Sequence, residues 1–177
     1  PFNDTDAPAY VQTKVLQEQA PLERAAALGL ELGAVSPTIV VGPYDTHLSP
    51  SNQVIVTYLS DPFKLTFPGG CNIVSASDVA RGHILAAQKG APGARYVLGA
   101  ENLEWAAIHR LISELCAVPG PYLQANHTGS YLAAVAAEMQ AWLSKKPPLT
   151  TRAQASMVGR YYWYRHEQAA ALGYNPM

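Results

Sequence analysis

Residues 8–42 of the chain are PAYVQTKVLQEQAPLERAAALGLELGAVSPTIVVG, a helix-forming stretch followed directly by an apolar one. Pro8 is tolerated in the first turn of a helix, where the missing amide proton costs nothing, and Gly29 is a typical stop. The pattern therefore predicts a helix from Pro8 to Leu28. Pro21 lies inside that stretch and predicts a kink or a break.

The apolar segment that follows predicts a strand. Glu31–Ser36 is expected to be extended and to run into a loop at Thr38–Gly42, because Pro37 cannot donate to a sheet ladder. The run from Leu32 to Val41 is apolar on both faces, as in a strand inside a parallel sheet. Left without neighbours, the edge of such a strand favours association with another chain or segment.

The rest of the chain alternates between predicted helices and predicted strands, which favours the α/β class. The predicted helices are Ser51–Leu59, Asp78–Lys89 with Ser77 as its cap, a helix capped by Asn102 that runs through Cys116, Thr128–Leu143, Thr151–Val158 and His166–Leu172. The predicted strands are Lys64–Phe67, Cys71–Val74, Arg95–Leu98 and Tyr161–Tyr164, with an extended piece at Tyr122–Gln124.

Composition argues against several classes of protein. The formal net charge is −1 and the longest basic run is Lys145–Lys146, so neither nucleic acid nor anionic lipid is an expected partner. No apolar run approaches the roughly 18 residues of a membrane span. Cys71 and Cys116 lie far apart and the histidines are scattered, so no metal site is predicted. Both thiols are expected to be buried in a reducing compartment, which favours a cytoplasmic location.

A tyrosine and a lysine four residues apart give the chain its first candidate for chemistry. Tyr10 and Lys14 would lie one turn apart on one face of the predicted helix. A nearby ammonium group stabilises a phenolate and so lowers the tyrosine pKa, which makes the hydroxyl a general acid and base. The spacing arises by chance in many proteins, so it becomes informative only through the motifs around it.

Those motifs, in their order and spacing, resemble the extended short-chain dehydrogenases/reductases. Within that superfamily the chain is most similar to the dihydroflavonol-reductase-like and hopanoid-associated sugar-epimerase-like branch. The resemblance covers essentially all 177 residues and is loose between Tyr122 and Tyr162. The motifs that carry it are Tyr10–Lys14 with Glu18, Gly29–Leu32, Ser36–Pro43, Ser77–His83, Arg95–Leu103 and Ala169–Pro176.

The resemblance implies roles for individual residues. Tyr10 matches the catalytic tyrosine of the family, and Lys14 matches the lysine that binds the nicotinamide ribose and lowers the tyrosine pKa. Both would therefore touch NAD or NADP. The family's strand-end segment, which meets the nicotinamide and the substrate, corresponds to Val35 and Pro37 for the cofactor and to Ser36 and Thr38 for the substrate. Many members have Asn where Ser36 stands.

The resemblance also implies an architecture. The chain would be the C-terminal part of a Rossmann-like doubly wound parallel sheet plus a small α+β substrate-binding lid. Residues 1–43 would be the remnant of the dinucleotide-binding domain, and residues 44–177 would be mostly lid, with a segment near 71–90 returning to the sheet. No Gly-rich turn between a strand and a helix is present, and Gly90–Gly93 is predicted to follow a helix.

Two functions remain open from the sequence. The parent protein would be an NAD(P)-dependent oxidoreductase or nucleotide-sugar epimerase/reductase, acting on a sugar nucleotide or a carbonyl compound. The alternative is a non-catalytic relative that serves as a structural or interaction subunit. In either case the expected partner is another chain or an N-terminal half, and a homodimer through the Tyr10 helix is an open alternative.

We expect the 177-residue chain by itself to bind NAD(H) or NADP(H) weakly or not at all. The physical reason is the lack of a glycine turn that aims a helix N-terminus at the pyrophosphate. Isothermal titration calorimetry with each cofactor measures this directly. A dissociation constant in the micromolar range for either cofactor would contradict the expectation.

Overall fold

A computed structural model describes residues 9–145 and 158–177, without the side chains of residues 9–11, 127 and 133. Its helices are α1 (Ala9–Leu28), α2 (Pro50–Ser60), α3 (Ala76–Lys89), α4 (Trp105–Leu115), α5 (His127–Ser144) and α6 (Glu167–Ala171). Its strands are β1 (Ala34–Pro37), β2 (Ile39–Val41), β3 (Leu65–Thr66), β4 (Gly70–Ser75), β5 (Arg95–Leu98), β6 (Glu101–Glu104), β7 (Leu123–Gln124) and β8 (Tyr161–Tyr162). The predicted α/β class is confirmed.

Two predicted helix caps are wrong. Ser75, not Ser77, caps α3: its hydroxyl oxygen accepts the amide of Asp78 at 3.0 Å, so the helix starts earlier than predicted. Asn102 does not cap a helix but lies in β6, opposite Asn72 of β4. Its side-chain amide donates to the Tyr164 carbonyl and its oxygen accepts the Tyr164 amide, both at 3.0 Å. These long-range bonds hold Asn102 extended.

Other boundaries also differ from prediction. The predicted loop after Pro37 contains strand β2, since Ile39–Val41 pairs with β4. Helix α1 runs through Pro21 as one helix, although proline removes one backbone hydrogen bond. The thiol of Cys116 is exposed rather than buried, because Cys116 caps the C-terminus of α4. Most of the predicted helix Thr151–Val158 lies outside the described residues.

The described chain divides into two compact units. The first unit contains the chain up to Thr38, Val74–Ala100 and Arg165–Met177, and the second contains Ile39–Ile73 and Glu101–Tyr164. The predicted division at residue 43, with its functional roles, stays a prediction. In the described part of the chain, no helix combines the length and apolarity that crossing a membrane requires.

The first unit is built on a parallel pair of strands. β1 pairs with β5 so that Val35 lies opposite Tyr96 and Ser36 opposite Val97. Side chains alternate between the two faces of a strand, and the cluster on one face is buried. That cluster consists of Tyr96, Leu98, Ala169 and Tyr174, with Val35, Val79, Leu85, Ala86, Ala94 and Leu172 packed against it. Helices α3 and α6 supply its other side.

The opposite face of the same pair carries polar side chains. Ser36 of β1 and Arg95 of β5 both contact Glu18 of α1. Helices therefore lie on both sides of this sheet, which is the doubly wound arrangement that the resemblance implies. Among the described residues β1 has no strand partner besides β5 and β5 has none besides β1.

The second unit has a mixed sheet and a separate small pair. β4 lies between β2 and β6, is antiparallel to β6, and also pairs in parallel with β8, whereas β3 pairs with β7 in parallel. Helices α2 and α4 pack against each other beside these strands. The buried residues of their core are Tyr58, Cys71, Ile108 and Ile112. Burial raises the pKa of the Cys71 thiol to about 12, so this sulfur stays protonated.

A polar cluster lies inside this unit. The imidazole of His109 is 2% exposed and stacks on the Tyr58 ring with centroids 4.2 Å apart. Its Nδ1 lies 3.0 Å from Thr66 Oγ1, and the Tyr58 hydroxyl bonds Ser113 Oγ at 2.6 Å. Burial lowers the His109 pKa from 6.5 to about 4, partly opposed by the charge of Asp61. At neutral pH this histidine is therefore a neutral part of the core.

Acidification should destabilise the protein through His109. In the unfolded state the His109 imidazole binds a proton near pH 6.5, whereas in the folded state it binds one only near pH 4. The stabilising contribution is therefore complete above pH 6.5 and is lost as the pH falls through this window. Between pH 7 and pH 5 we expect a loss of about 2 kcal/mol in the free energy of unfolding from this one group. Urea unfolding at both pH values measures it.

The control for this prediction separates His109 from the other histidines. His109→Gln should lower stability at pH 7 and should remove this part of the pH dependence. His83 is exposed, so His83→Gln should leave the pH dependence as in the unaltered protein. An unaltered slope in His109→Gln would show that the buried imidazole is not the group that titrates.

Candidate active site

The candidate catalytic pair lies in the first two turns of α1. Tyr10 is the second residue of the helix and Lys14 follows one turn later. The chain reverses after Leu28, where Gly29 adopts a φ of 67°, and then enters β1. Because α1 and β1 are joined by a short connection, the first turns of α1 are expected toward the carboxyl end of β1. Open α/β sheets bind their ligands at that end.

Glu18 fixes the level at which helix and strand meet. Ser36 Oγ donates to Glu18 Oε2 at 3.2 Å, and Ser36 is the third of the four residues of β1. Lys14 lies one turn, about 6 Å, further along the helix in the direction away from the α1–β1 connection. The backbone of Lys14 is thus expected beyond Ser36, near the level at which the strand ends.

The strand-end residues from the sequence analysis lie on different sides. Val35 packs on the buried cluster around Tyr96 and Leu98. Pro37 is exposed and ends β1. The Thr38 amide donates to the Leu98 carbonyl at 3.1 Å, and its hydroxyl lies 3.5 Å from the same oxygen.

These residues are consecutive in the chain, but they do not all face one ligand. The structure brings Ser36 together with Glu18 and places Val35 on the opposite face of the sheet. The cofactor roles of Val35 and Pro37 and the substrate roles of Ser36 and Thr38 stay predictions.

Sequence reasoning did not assign a role to Glu18 or to Arg95. The Arg95 guanidinium forms an ion pair with Glu18 Oε1 from the first residue of β5. The signal for Glu18 was present, because it lies four residues after Lys14 on the same helix. Arg95 had no local signal: its contact depends on the pairing of β1 with β5.

Asp78 belongs to the framework of the first unit. Its carboxylate is 1% exposed and accepts the hydroxyl of Ser75 at 2.6 Å. The same carboxylate pairs with Arg81 and lies 3.4 Å from the amide of Met177. A carboxylate at a helix N-terminus is stabilised by the helix dipole. Asp78 thereby ties the start of α3 to the end of the chain.

Two other kinds of binding site, for a metal ion and for a pyrophosphate, make different demands on the described residues. Within the described residues no cluster of three or more His, Cys, Asp or Glu side chains could hold a metal ion. Gly90 and Gly93 follow the C-terminus of α3 and precede β5. That turn presents a helix C-terminus, which is negative, and therefore does not suit a pyrophosphate.

The sequence and the fold both have known counterparts. A Synechocystis protein that carries the name dihydroflavonol 4-reductase is 34% identical over 117 residues, which are 64% of this chain and 34% of that protein. The solved nucleoside-diphosphate-sugar epimerase of Pseudomonas aeruginosa superposes with a TM-score of 0.66 and 23% identity, covering 97% of this chain and 55% of that one.

The Thermus thermophilus UDP-glucose 4-epimerase, solved with NAD, superposes with a TM-score of 0.64 and 15% identity. The matched region covers 99% of this chain and 54% of the epimerase chain. The chain thus spans about half the length of these solved relatives, and no protein-family model matches it. The sequence similarity and the shared Rossmann-type fold make the chain similar to the extended short-chain dehydrogenases/reductases over about half of their length.

Proposed function

We propose that this chain carries the Tyr-Lys pair of an NAD(P)-dependent oxidoreductase or nucleotide-sugar epimerase/reductase. The observation that carries the proposal is the position of Tyr10 and Lys14 in the first two turns of α1, the helix tied to β1 through Glu18. Reduction of a carbonyl compound is the favoured version, because the Synechocystis relative is named as a reductase.

In the proposed reaction Tyr10 supplies the proton. A nicotinamide cofactor, when bound, would supply the hydride for the carbonyl carbon, and the Tyr10 hydroxyl would donate its proton to the carbonyl oxygen, which leaves a phenolate on Tyr10. In the reverse direction the phenolate takes the alcohol proton. Lys14 and the positive end of α1 both stabilise the phenolate, and this makes the proton transfer accessible at neutral pH.

The described residues fit one end of a nicotinamide cofactor. Lys14 is exposed, and its ammonium group would donate to a ribose hydroxyl; Pro37 is exposed at the end of β1, where it can contact a flat ring. The pyrophosphate end has no such fit among the described residues, since their glycine turn follows α3 instead of preceding a helix. The cofactor would therefore be held jointly with a further segment or chain.

The remaining roles follow from this proposal. Residues 44–177 would contribute most of a substrate lid, Ser36 and Thr38 would contact the substrate, and the protein would act in the cytoplasm. The competing role is that of a non-catalytic subunit. Turnover by the full-length protein decides between these two roles. An enzyme should lose turnover when the Tyr10 hydroxyl is removed, whereas a non-catalytic subunit has no turnover to lose.

Replacing Tyr10 by Phe in the full-length enzyme should abolish turnover and leave cofactor affinity nearly unchanged. The hydroxyl group transfers the proton but contributes little to holding the dinucleotide. General acid–base catalysis is typically worth about 10²–10⁴-fold. Steady-state kinetics and a fluorescence titration with the reduced cofactor measure the two effects.

Lys14→Ala is the companion variant. It should weaken both turnover and cofactor binding, because the ammonium group would act on the phenolate and on the ribose. If Tyr10→Phe keeps more than roughly a tenth of the original activity, Tyr10 has no place in the mechanism.

A further inference from the structure

We propose that Glu18 is a positioning residue that sets the rotation and height of the catalytic helix against the sheet. The proposal rests on the function proposed above for Tyr10 and Lys14. Glu18 lies in the middle of α1, and its carboxylate connects this helix to both strands of the parallel pair.

The two oxygens of the carboxylate have separate partners. Oε2 accepts the Ser36 hydroxyl at 3.2 Å, and the buried Oε1 accepts no hydrogen bond from the described residues but forms an ion pair with the Arg95 guanidinium. The Glu18 side chain is 20% exposed, against 55% for Arg95. A single half-buried side chain of α1 thus binds the third residue of β1 and the first residue of β5.

Helix geometry relates the contact of Glu18 to the positions of Tyr10 and Lys14 on the same helix. Successive residues of an α-helix are rotated by about 100°, so positions four apart differ by only about 40° and positions eight apart by about 80°. Positions 10, 14 and 18 therefore share one side of α1. When Glu18 is held on the sheet, the backbone at Lys14 and Tyr10 is held toward the same side.

Apolar packing along this part of the helix is limited to half-buried side chains, such as Val15 and Leu22. Among the described side chains of α1, Ala25 alone is buried, and Ala25 lies almost two turns beyond Glu18 in the direction of the connection to β1. Leu16, two residues before Glu18, is 64% exposed. The polar contacts of Glu18 are therefore placed where they control the half of the helix that carries the catalytic pair.

In this arrangement Ser36 acts on the helix, and this role replaces the substrate contact that was proposed for Ser36 above. Its hydroxyl hydrogen is used by Glu18, so removal of the hydroxyl acts on the helix through the carboxylate. A direct substrate contact by Ser36 would behave differently, because it would act on substrate affinity independently of Glu18.

The test uses the full-length enzyme and the kinetics of Glu18→Gln, Glu18→Ala and Glu23→Gln. The amide of Gln keeps the volume of the side chain and can still accept the Ser36 hydroxyl, but it lacks the charge that pairs with Arg95. We expect kcat to fall at least about tenfold in Glu18→Gln and further in Glu18→Ala, since a displacement of about 1 Å can cost 10²-fold. The KM for the carbonyl substrate should stay within about twofold, because substrate contacts remain.

Glu23→Gln is the matched control. Glu23 is an exposed carboxylate on the same helix, so its loss changes the charge equally and should leave kcat unaltered. Circular dichroism shows whether each variant is folded, and if Glu18→Ala does not fold, Glu18→Gln carries the test by itself. An unaltered kcat in Glu18→Gln overturns the inference.

A double-mutant cycle with Ser36→Ala tests the connection. If Ser36 acts through Glu18, the fold-loss of kcat in the double variant should be smaller than the product of the fold-losses in Glu18→Gln and Ser36→Ala. Independent effects, with Ser36→Ala raising KM, overturn this part of the inference. Loss of the proposed function is recognised separately: it shows as an active Tyr10→Phe enzyme, whereas failure of the inference shows as an inactive Tyr10→Phe beside a fully active Glu18→Gln.

Discussion

The parallel pairing of β1 with β5 is the contact on which the candidate site depends. This register places Ser36 and Arg95 on the face toward α1 and places Val35 and Tyr96 on the face toward α3 and α6. Burial of the apolar face stabilises the strand pair, at roughly 25 cal/mol for each Å² removed from water. The polar face can then specify where α1 lies, because Ser36 and Arg95 are held in place by the pairing of the two strands.

Features with strong local signals were predictable from sequence. Helix α1 was predicted over Pro8–Leu28 and is found over Ala9–Leu28, because its start and stop residues are typical. Strand β5 has the predicted bounds, Arg95–Leu98, since a short apolar run there lies between glycine turns. The candidate pair Tyr10–Lys14 was likewise visible, because a spacing of four residues needs only the helix that contains it.

Features that depend on distant partners were not predictable. Asn102 is a common helix cap, yet two hydrogen bonds to Tyr164 hold it in a strand. His109 carries no sign in the sequence that it is buried and stacked on Tyr58. Val35 and Ser36 lie on opposite faces, as neighbours in any strand do, but which face meets α1 and which meets the buried cluster depends on distant packing. In each case a tertiary contact overrides the local preference.

The Tyr-Lys spacing and the Glu18 contact carry different kinds of information. A spacing fixes two side chains relative to each other, but it leaves free the rotation of the helix about its own axis. That rotation decides whether a tyrosine hydroxyl meets a substrate or solvent, and a general acid works only within hydrogen-bond reach of its proton acceptor. Glu18 supplies the missing constraint, because its two oxygens bind two different strands and so oppose both rotation and sliding. In the function proposed above, chemistry at Tyr10 would therefore depend on a carboxylate two turns away that need not touch the substrate.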